Sequence, residues 1–222
     1  MLKAPKKLTR REIKQDKLVT YYFQAQEFFR KNGQTILLSA GGLVLALVLA
    51  GWFTRWKANK EDAAQLELAK ARIEYFANNF SAATPLLQKL ATDYDGTDAA
   101  QEGLFYLANS YYNLGTYPEA EKYYKQFLQT DGDEILKSSA TSGMAACLEQ
   151  QKNYRAAAKL YEEAAEKYST VFLAPDQLLN AARCRVLSGD SDGARQLLTK
   201  LLDEYPTASS KNDAEVLLAE LM

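Results

Sequence analysis

The chain has 222 residues, of which 27 are Lys or Arg and 28 are Asp or Glu, so its formal net charge is −1. It contains no histidine and only two cysteines. This composition excludes Ser-His-Asp and Cys-His catalysis, histidine-ligated metals and a four-cysteine zinc site. Five prolines and eleven glycines are few for a turn-rich β fold, and we expect an all-α protein.

The charge is divided unevenly along the chain. Residues 1–54 carry nine basic and three acidic side chains, whereas residues 55–222 carry 18 basic and 25 acidic ones. Such a break indicates two segments in two environments. We predict a basic cytoplasmic tail over residues 1–34, a transmembrane helix over 35–56 and an extracytoplasmic domain over 57–222.

The tail has the signature of an amphipathic helix. Thr9–Glu12 matches a helix-capping box, and apolar residues follow it mostly at helical spacing: Ile13, Leu18, Tyr21, Tyr22, Ala25, Phe28 and Phe29. Three roles are open for this segment. It lies at an anionic lipid surface, it docks on a membrane protein, or it is a solvated tail that only fixes the topology.

The next segment predicts a membrane anchor. Ile36–Phe53 carries no charge, and as a helix it is ~27 Å long, close to the thickness of a hydrocarbon core. A cleaved signal peptide is the weaker interpretation, because the run ends in Gly51-Trp52-Phe53 rather than at a small-x-small site. Basic and aromatic residues flank the run, and we predict that they lie at the membrane interface: Phe28, Phe29, Arg30, Lys31, Trp52 and Trp56.

The basic excess before the anchor predicts that the N terminus is cytoplasmic and that the acidic domain lies outside. In a bacterium, this places the anchor in the inner membrane and the domain in the periplasm. Within the anchor, Gly42, Ala46 and Ala50 form a stripe of small residues, which permits close packing with another membrane helix.

The remaining chain is internally repetitive, with a period of 37 residues. Alanines recur in two columns, and larger residues recur in two more: Ala83, Ala120, Ala157, Ala194; Ala71, Ala108, Ala145, Ala182; Leu87, Tyr124, Tyr161, Leu198; and Leu90, Phe127, Ala164, Leu201. A period of this size indicates stacked repeats. Each copy has two apolar stretches separated by a short polar turn, so each copy is predicted to be a helical hairpin. We place the hairpins at residues 62–95, 98–132, 134–169 and 175–206, with a capping helix over 209–222.

The pattern in the second copy, Leu107-Ala108, Tyr111, Ala120 and Tyr124, resembles the tetratricopeptide repeat. The resemblance covers residues 62–222 and implies a solenoid that binds polypeptide. The first copy departs from the pattern, since Lys70 and Glu74 occupy positions that are normally apolar.

The layout as a whole is similar to the YfgM-like family of ancillary subunits of the SecYEG translocon. It combines a short basic tail, one anchor introduced by Phe28-Phe29-Arg30-Lys31-Asn32-Gly33, and an alanine-rich repeat domain. This resemblance implies a location beside the translocon in the bacterial inner membrane, with translocon subunits or secreted periplasmic proteins as partners.

In tetratricopeptide repeats, the first helices of the hairpins line a concave groove, and the resemblance assigns groove positions in this chain. They are Leu68, Arg72 and Tyr75 in the first copy; Glu102, Phe105, Asn109 and Tyr112 in the second; Ser139, Ser142, Ala146 and Glu149 in the third; and Asp176, Leu179 and Arg183 in the fourth. Aromatic and a few charged groups suit a hydrophobic or extended polypeptide. Ordinary packing between repeats is the open alternative for the aromatic residues.

Nothing in the sequence predicts an enzyme, a cofactor or a metal site. The paired carboxylates fit a solvated acidic surface, and an acidic domain disfavours nucleic acid. Cys147 and Cys184 occupy equivalent positions on neighbouring stacked helices. Such positions are about 8–10 Å apart, beyond the reach of a disulfide, so we expect buried free thiols.

We therefore predict a membrane-anchored scaffold that assists Sec translocation or periplasmic folding and takes no small-molecule substrate. Residues 35–56 would contact lipid. The alternative is a structural or assembly subunit of a large inner-membrane complex.

Overall fold

The structure, a computed structural model, describes residues 17–222, and all regular secondary structure in this range is helical. The helices are α1 (Lys17–Phe76), α2 (Phe80–Asp93), α3 (Asp98–Asn113), α4 (Tyr117–Leu128), α5 (Glu134–Gln150), α6 (Tyr154–Lys167), α7 (Ala174–Leu187), α8 (Ser191–Glu204) and α9 (Lys211–Glu220). The predicted capping box at Thr9–Glu12 lies outside the described residues.

The chain divides into two compact units after Lys57. In the first unit, α1 is continuous from Lys17 and does not end at the predicted tail boundary. Side chains from Leu37 to Lys57 are all exposed. Over residues 17–222, α1 is the helix that is long and apolar enough to cross a membrane, by length and composition.

The second unit is a row of helical hairpins. The last turns of α1 share a buried core with α2. Helix α3 pairs with α4, α5 with α6, and α7 with α8, while α9 follows the last hairpin. This confirms the predicted all-α hairpin solenoid with a capping helix. On α9, Ala214 is buried, and Leu217 and Leu218, together with Leu221 at the C-cap, pack against the core of the last hairpin.

The periodic alanines explain how closely the helices approach. Ala71, Ala108, Ala145 and Ala182 are completely buried. Their small side chains let neighbouring helices meet, while leucine and tyrosine side chains fill the space beside them. The buried core therefore continues from one hairpin to the next rather than forming a single centre.

The turns inside the four hairpins share one backbone geometry. Asn78, Gly115, Lys152 and Gly189 lie 37 residues apart, and all have positive φ, of 58°, 74°, 60° and 82°. Glycine adopts this left-handed region without a steric cost, whereas a side chain with a Cβ is strained there. The repeat thus holds Asn78 and Lys152 in a left-handed conformation that glycine adopts more easily than either residue.

Both cysteines are free and buried, as the sequence predicts. Burial raises the pKa of the Cys147 and Cys184 thiols to about 12. A protonated thiol behaves as a small apolar group, so these side chains serve the packing between hairpins.

Candidate protein-binding groove

The first helices of the hairpins lie beside one another. Tyr75 of α1 contacts Tyr106 of α3, with ring centroids 5.0 Å apart. At the other end of the row, Gln177 of α7 donates a hydrogen bond from Nε2 to Ser138 Oγ of α5 at 2.6 Å. We call the surface formed by residues 58–76 of α1 together with α3, α5 and α7 the groove surface.

Four of the five predicted charges of this surface form two ion pairs, and the fifth, Asp176, lies in the first turn of α7. Arg72 lies 3.6 Å from Glu102, between α1 and α3. Glu149 lies 3.7 Å from Arg183, between α5 and α7. All four side chains are partly exposed, so each pair contributes only about 0–1 kcal/mol to stability. Their larger effect is to neutralise the charge that this part of the surface would present to a ligand.

Tyr75, Phe76 and Tyr106, together with Arg72, form an aromatic cluster at the α1 end of the groove surface. The guanidinium of Arg72 lies 5.4 Å from the ring centroid of Tyr106 and 5.6 Å from that of Phe76. Tyr75 packs edge-on against Tyr106, and burial is the main cause of the raised pKa of both phenols. The cluster presents ring faces and a stacked guanidinium, which are groups suited to apolar and peptide surfaces.

Two members of this cluster, Phe76 and Tyr106, are absent from the sequence prediction. The 37-residue register aligns Tyr75 with Tyr112, whereas the structure packs Tyr75 against Tyr106. Neighbouring hairpins are offset where they meet, so residues in contact are not those at equal positions. The available signal was the pair of adjacent aromatic residues on each of two neighbouring first helices, Tyr75-Phe76 and Phe105-Tyr106.

Asn109 is held by the residues around it. Its Oδ1 accepts a hydrogen bond from Tyr124 Oη at 2.7 Å, and its Nδ2 donates to the carbonyl of Phe105 at 3.0 Å. A Cβ at Gly143 would overlap the Tyr124 ring, so the glycine leaves room for this tyrosine. Burial strongly raises the pKa of Tyr124, and its neutral hydroxyl fixes the amide orientation.

In the third hairpin, Glu149 also accepts a hydrogen bond from Tyr161 Oη at 3.2 Å. The Oγ of Ser142 is buried and has no hydrogen-bond partner among residues 17–222. Here, hydroxyl groups and small side chains replace the rings of the first two hairpins. The groove surface is therefore aromatic at one end and polar at the other.

Some predicted groove residues belong to the packing between helices instead. Leu68 is 1% exposed and lies in the core with Leu87 and Leu90, so its assignment to the ligand-facing surface is wrong. Phe105 packs against Tyr124 and Phe127. Phe105 therefore belongs to the packing between helices, which was the open alternative for the aromatic groove residues.

The remaining predicted positions are more accessible. Tyr112 is partly exposed and contacts Tyr117, with ring centroids 5.6 Å apart. Asp176 is partly exposed in the first turn of α7. Leu179 is also partly buried, against the core of the last hairpin. The three residues lie along the groove surface rather than converging on one point.

Two clefts lie near the edges of the hairpins. One of about 830 Å³ is bordered by α2, α3 and α4 and lined mostly by polar residues, including Gln88, Gln101 and Gln126. A smaller one of about 330 Å³ lies between Asp98, Glu102 and Leu136. Among residues 17–222, no group of three His, Cys, Asp or Glu side chains is placed to hold a metal ion.

The predicted membrane-interface residues all lie on α1. Phe28 and Phe29 are exposed, and Lys31 pairs with Glu27 at 3.0 Å. Arg30, Trp52 and Trp56 are exposed as well. These side chains bracket the apolar run but do not converge on a site.

The stacked hairpins and their shared surface define a helical-repeat protein of the scaffold class, a fold that is typically non-catalytic. A family profile described as a tetratricopeptide repeat-like domain matches residues 26–173, and one described as a tetratricopeptide repeat matches residues 145–209. The chain belongs to the tetratricopeptide repeat-like family. Such domains bind other proteins. A search of curated protein sequences gave no significant match.

Solved structures share the fold. A Podosopora anserina protein described as a kinesin light chain with nearly identical TPR-like repeats has a TM-score of 0.58 at 14% identity, covering 72% of this chain and 86% of that chain. The MamA RS-1 ArsTM double mutant has a TM-score of 0.54 at 15% identity, covering 72% of this chain and 94% of that chain. At these identities, the likeness shows the fold alone.

Proposed function

We propose that this protein is a membrane-anchored scaffold whose groove surface binds an extended, weakly charged stretch of polypeptide. The observation that carries the proposal is the mutual neutralisation of the Arg72–Glu102 and Glu149–Arg183 pairs beside an accessible aromatic cluster. A strongly charged ligand would have to break these pairs, whereas an apolar segment can lie across them and contact the rings.

The anchoring rests on α1. Its side chains from Leu37 to Lys57 are exposed, and those of residues 36–53 carry no charge. An apolar helix exposed on all sides is unfavourable in water and favourable in a bilayer. The basic residues that precede the run favour a cytoplasmic N terminus, which leaves the hairpins in the periplasm of a bacterium.

We further propose that the polypeptide is a secreted or periplasmic protein that emerges from the Sec translocon. Support comes from the resemblance of the layout to YfgM-like translocon subunits. The family profile also begins at residue 26 and therefore includes the apolar run as well as the repeats. Anchoring would raise the effective concentration of the groove surface near emerging chains.

Photo-crosslinking in the native membrane tests this function. A photoreactive phenylalanine analogue replaces Tyr112 on the groove surface. The matched control carries the analogue at Lys159, an exposed residue of α6, which is the second helix of the third hairpin and lies outside the groove surface. We expect many secreted chains to be captured at position 112 and few at position 159. Equal capture at both positions would contradict binding on the groove surface.

The second candidate function is a structural subunit of a membrane complex. It is favoured by exposed aromatic residues before the apolar run, including Tyr21, Tyr22 and Phe23, which could dock on a partner. The photoreactive group at Phe28 distinguishes the two functions. Translocon subunits captured at position 28 support the first function, and one stoichiometric complex captured at both 28 and 112 supports the second.

A further inference from the structure

One of the predicted groove charges has no partner of opposite sign. Two ion pairs neutralise the other four charges, but Asp176 of α7 forms no ion pair among residues 17–222. Its side chain is partly exposed, so a ligand on the groove surface can reach it. A carboxylate without a counter-charge attracts a cation more strongly than a paired carboxylate does. Asp176 therefore remains available to a positive group of the bound polypeptide.

The repeat explains why this carboxylate is unpaired. Two periods of 37 residues separate Glu102 from Asp176, and the same interval separates Arg72 from Ala146. Between the first two hairpins, the guanidinium of Arg72 lies 3.6 Å from Glu102. Between the last two hairpins, the acidic residue is kept, but alanine stands where the arginine was. The Arg72–Glu102 pair therefore shows how a guanidinium approaches this position, and at Asp176 the chain itself supplies no such group.

The hydrogen-bonding groups beside Asp176 are short of donors. Gln177 is only 3% exposed, and its Nε2 donates to Ser138 Oγ, but its Oε1 has no hydrogen-bond partner among residues 17–222. The Oγ of Ser142, one turn further along α5, is also buried without a partner in this range. A buried acceptor without a donor is unfavourable. Lysine and arginine side chains carry donors and no acceptors, so this end of the groove surface suits a basic group.

Other groups of a polypeptide suit this end less well. An acidic side chain is repelled by the Asp176 carboxylate. An apolar side chain covers the carboxylate without giving it a donor, which costs free energy. The apolar part of a ligand therefore belongs on the aromatic cluster, at the opposite end of the groove surface.

The separation of the two ends sets the spacing of the two ligand groups. From α3 through α5 to α7 there are two steps between neighbouring helices, each of about 8–10 Å. The aromatic cluster and Asp176 are thus about 20 Å apart across the helices. An extended polypeptide advances about 3.3 Å per residue, so about six residues join an apolar side chain at one end to a basic side chain at the other.

We propose that Asp176 selects polypeptides that carry a lysine or arginine about six residues from an apolar segment. The basic side chain pairs with Asp176 as Arg72 pairs with Glu102, while the apolar segment contacts the aromatic cluster. This inference rests on the polypeptide binding proposed above, because it assigns a substrate class to the same surface. It is independent of the anchoring and of the translocon.

Peptide binding by the full-length protein in phosphatidylcholine nanodiscs tests this selection. The fluorescent probes contain a Leu-Val-Leu segment in a Ser-Gly chain, and the sixth residue on each side of the segment is Lys, Ser or Glu. We expect the Lys peptide to bind about threefold more tightly than the Ser peptide, the effect of an exposed ion pair, and the Glu peptide to bind more weakly. Asp176→Asn should remove the preference, and Asp176→Lys should reverse it.

The matched control is Asp203→Lys, which changes the same charge at an exposed site on α8, outside the groove surface. This variant should keep the preference for the Lys peptide. Equal affinities of the Lys and Ser peptides for the parent protein would overturn the proposal, as would a preference for Lys that survives in Asp176→Lys or is lost equally in Asp203→Lys. Binding of all three peptides with one affinity refutes the selection alone, whereas no binding of any peptide refutes the proposed function as well.

Discussion

The carboxylate of Glu61 in α1 accepts hydrogen bonds from the backbone N–H groups of Asp98, at 2.8 Å, and Ala99, at 3.0 Å, at the start of α3. Free N–H groups at a helix start need acceptors. Thr97 supplies one through its own side chain, which accepts from Ala100 N. Glu61 supplies acceptors for two more N–H groups from the preceding hairpin, and it thereby couples the beginning of the first hairpin to the beginning of the second.

This contact predicts the effect of removing Glu61. Glu61→Ala should destabilise the hairpin domain by about 1 kcal/mol, the usual cost of losing a helix cap. The midpoint of thermal unfolding would fall by about 2–4 °C. The matched control is Asp62→Ala, which changes an exposed neighbour. Calorimetry of both variants decides the matter, and equal shifts would show that the carboxylate of Glu61 has no special role.

The turn geometry predicts that two substitutions at equivalent turn positions change the stability of the domain in opposite directions. Lys152 has φ of 60° and Gly115 has φ of 74° at equivalent positions. Lys152→Gly should stabilise the domain by about 1 kcal/mol because it removes the left-handed strain, and Gly115→Ala should destabilise it by a similar amount. Urea unfolding measures both. A loss of stability in Lys152→Gly would contradict the shared turn geometry.

The position of Gly143 predicts strong sensitivity to a methyl group. Gly143→Ala forces the Tyr124 ring to move and weakens its hydrogen bond to Asn109. We expect a loss of about 1–3 kcal/mol, as for other overpacked cores. Ser139→Ala, at a partly exposed position of the same helix, should change stability by less than about 0.5 kcal/mol. A Gly143→Ala variant as stable as the parent protein would refute this packing.

The two buried thiols predict that the stability of the folded state depends on pH. The pKa of Cys147 and of Cys184 is raised by burial to about 12, above the value of about 8.5 in an unfolded chain. The thiols therefore favour the folded state fully below pH about 8.5, and this contribution is lost as the pH rises towards 12. Labelling with a maleimide at pH 8 should be slow in the native protein and fast in urea. Rapid native labelling would show that the thiols are accessible.

The 37-residue repeat in the sequence encodes which side chains are buried, but not how neighbouring hairpins are offset. The alanine columns predict the buried helix contacts, and all four members of the Ala71 column are buried. The register does not encode the offset between neighbouring hairpins, so it does not reveal that Tyr75 packs against Tyr106. It also did not reveal the left-handed turns at Asn78 and Lys152, because no glycine marks them.

The extent of α1 was equally hidden from sequence reasoning. The change in polarity between tail, apolar run and repeats predicts separate segments, yet a helix can remain continuous through such changes. Hydrogen bonds of the backbone do not depend on the polarity of the side chains. Gly41, Gly42 and Gly51 lie within the helix without ending it, as glycines often do in apolar helices.

The most direct test of polypeptide binding on the groove surface is an affinity measurement. The full-length protein in lipid nanodiscs is titrated against a fluorescent, unstructured peptide of Leu, Val, Ser and Gly. Tyr106→Ala removes a ring of the aromatic cluster. The control, Tyr123→Ala, removes a ring of α4 that stacks on Tyr111, 5.5 Å between centroids. We predict that Tyr106→Ala raises the Kd about tenfold and that Tyr123→Ala leaves it unchanged. Equal affinities of both variants and the parent protein would contradict peptide binding at the aromatic cluster.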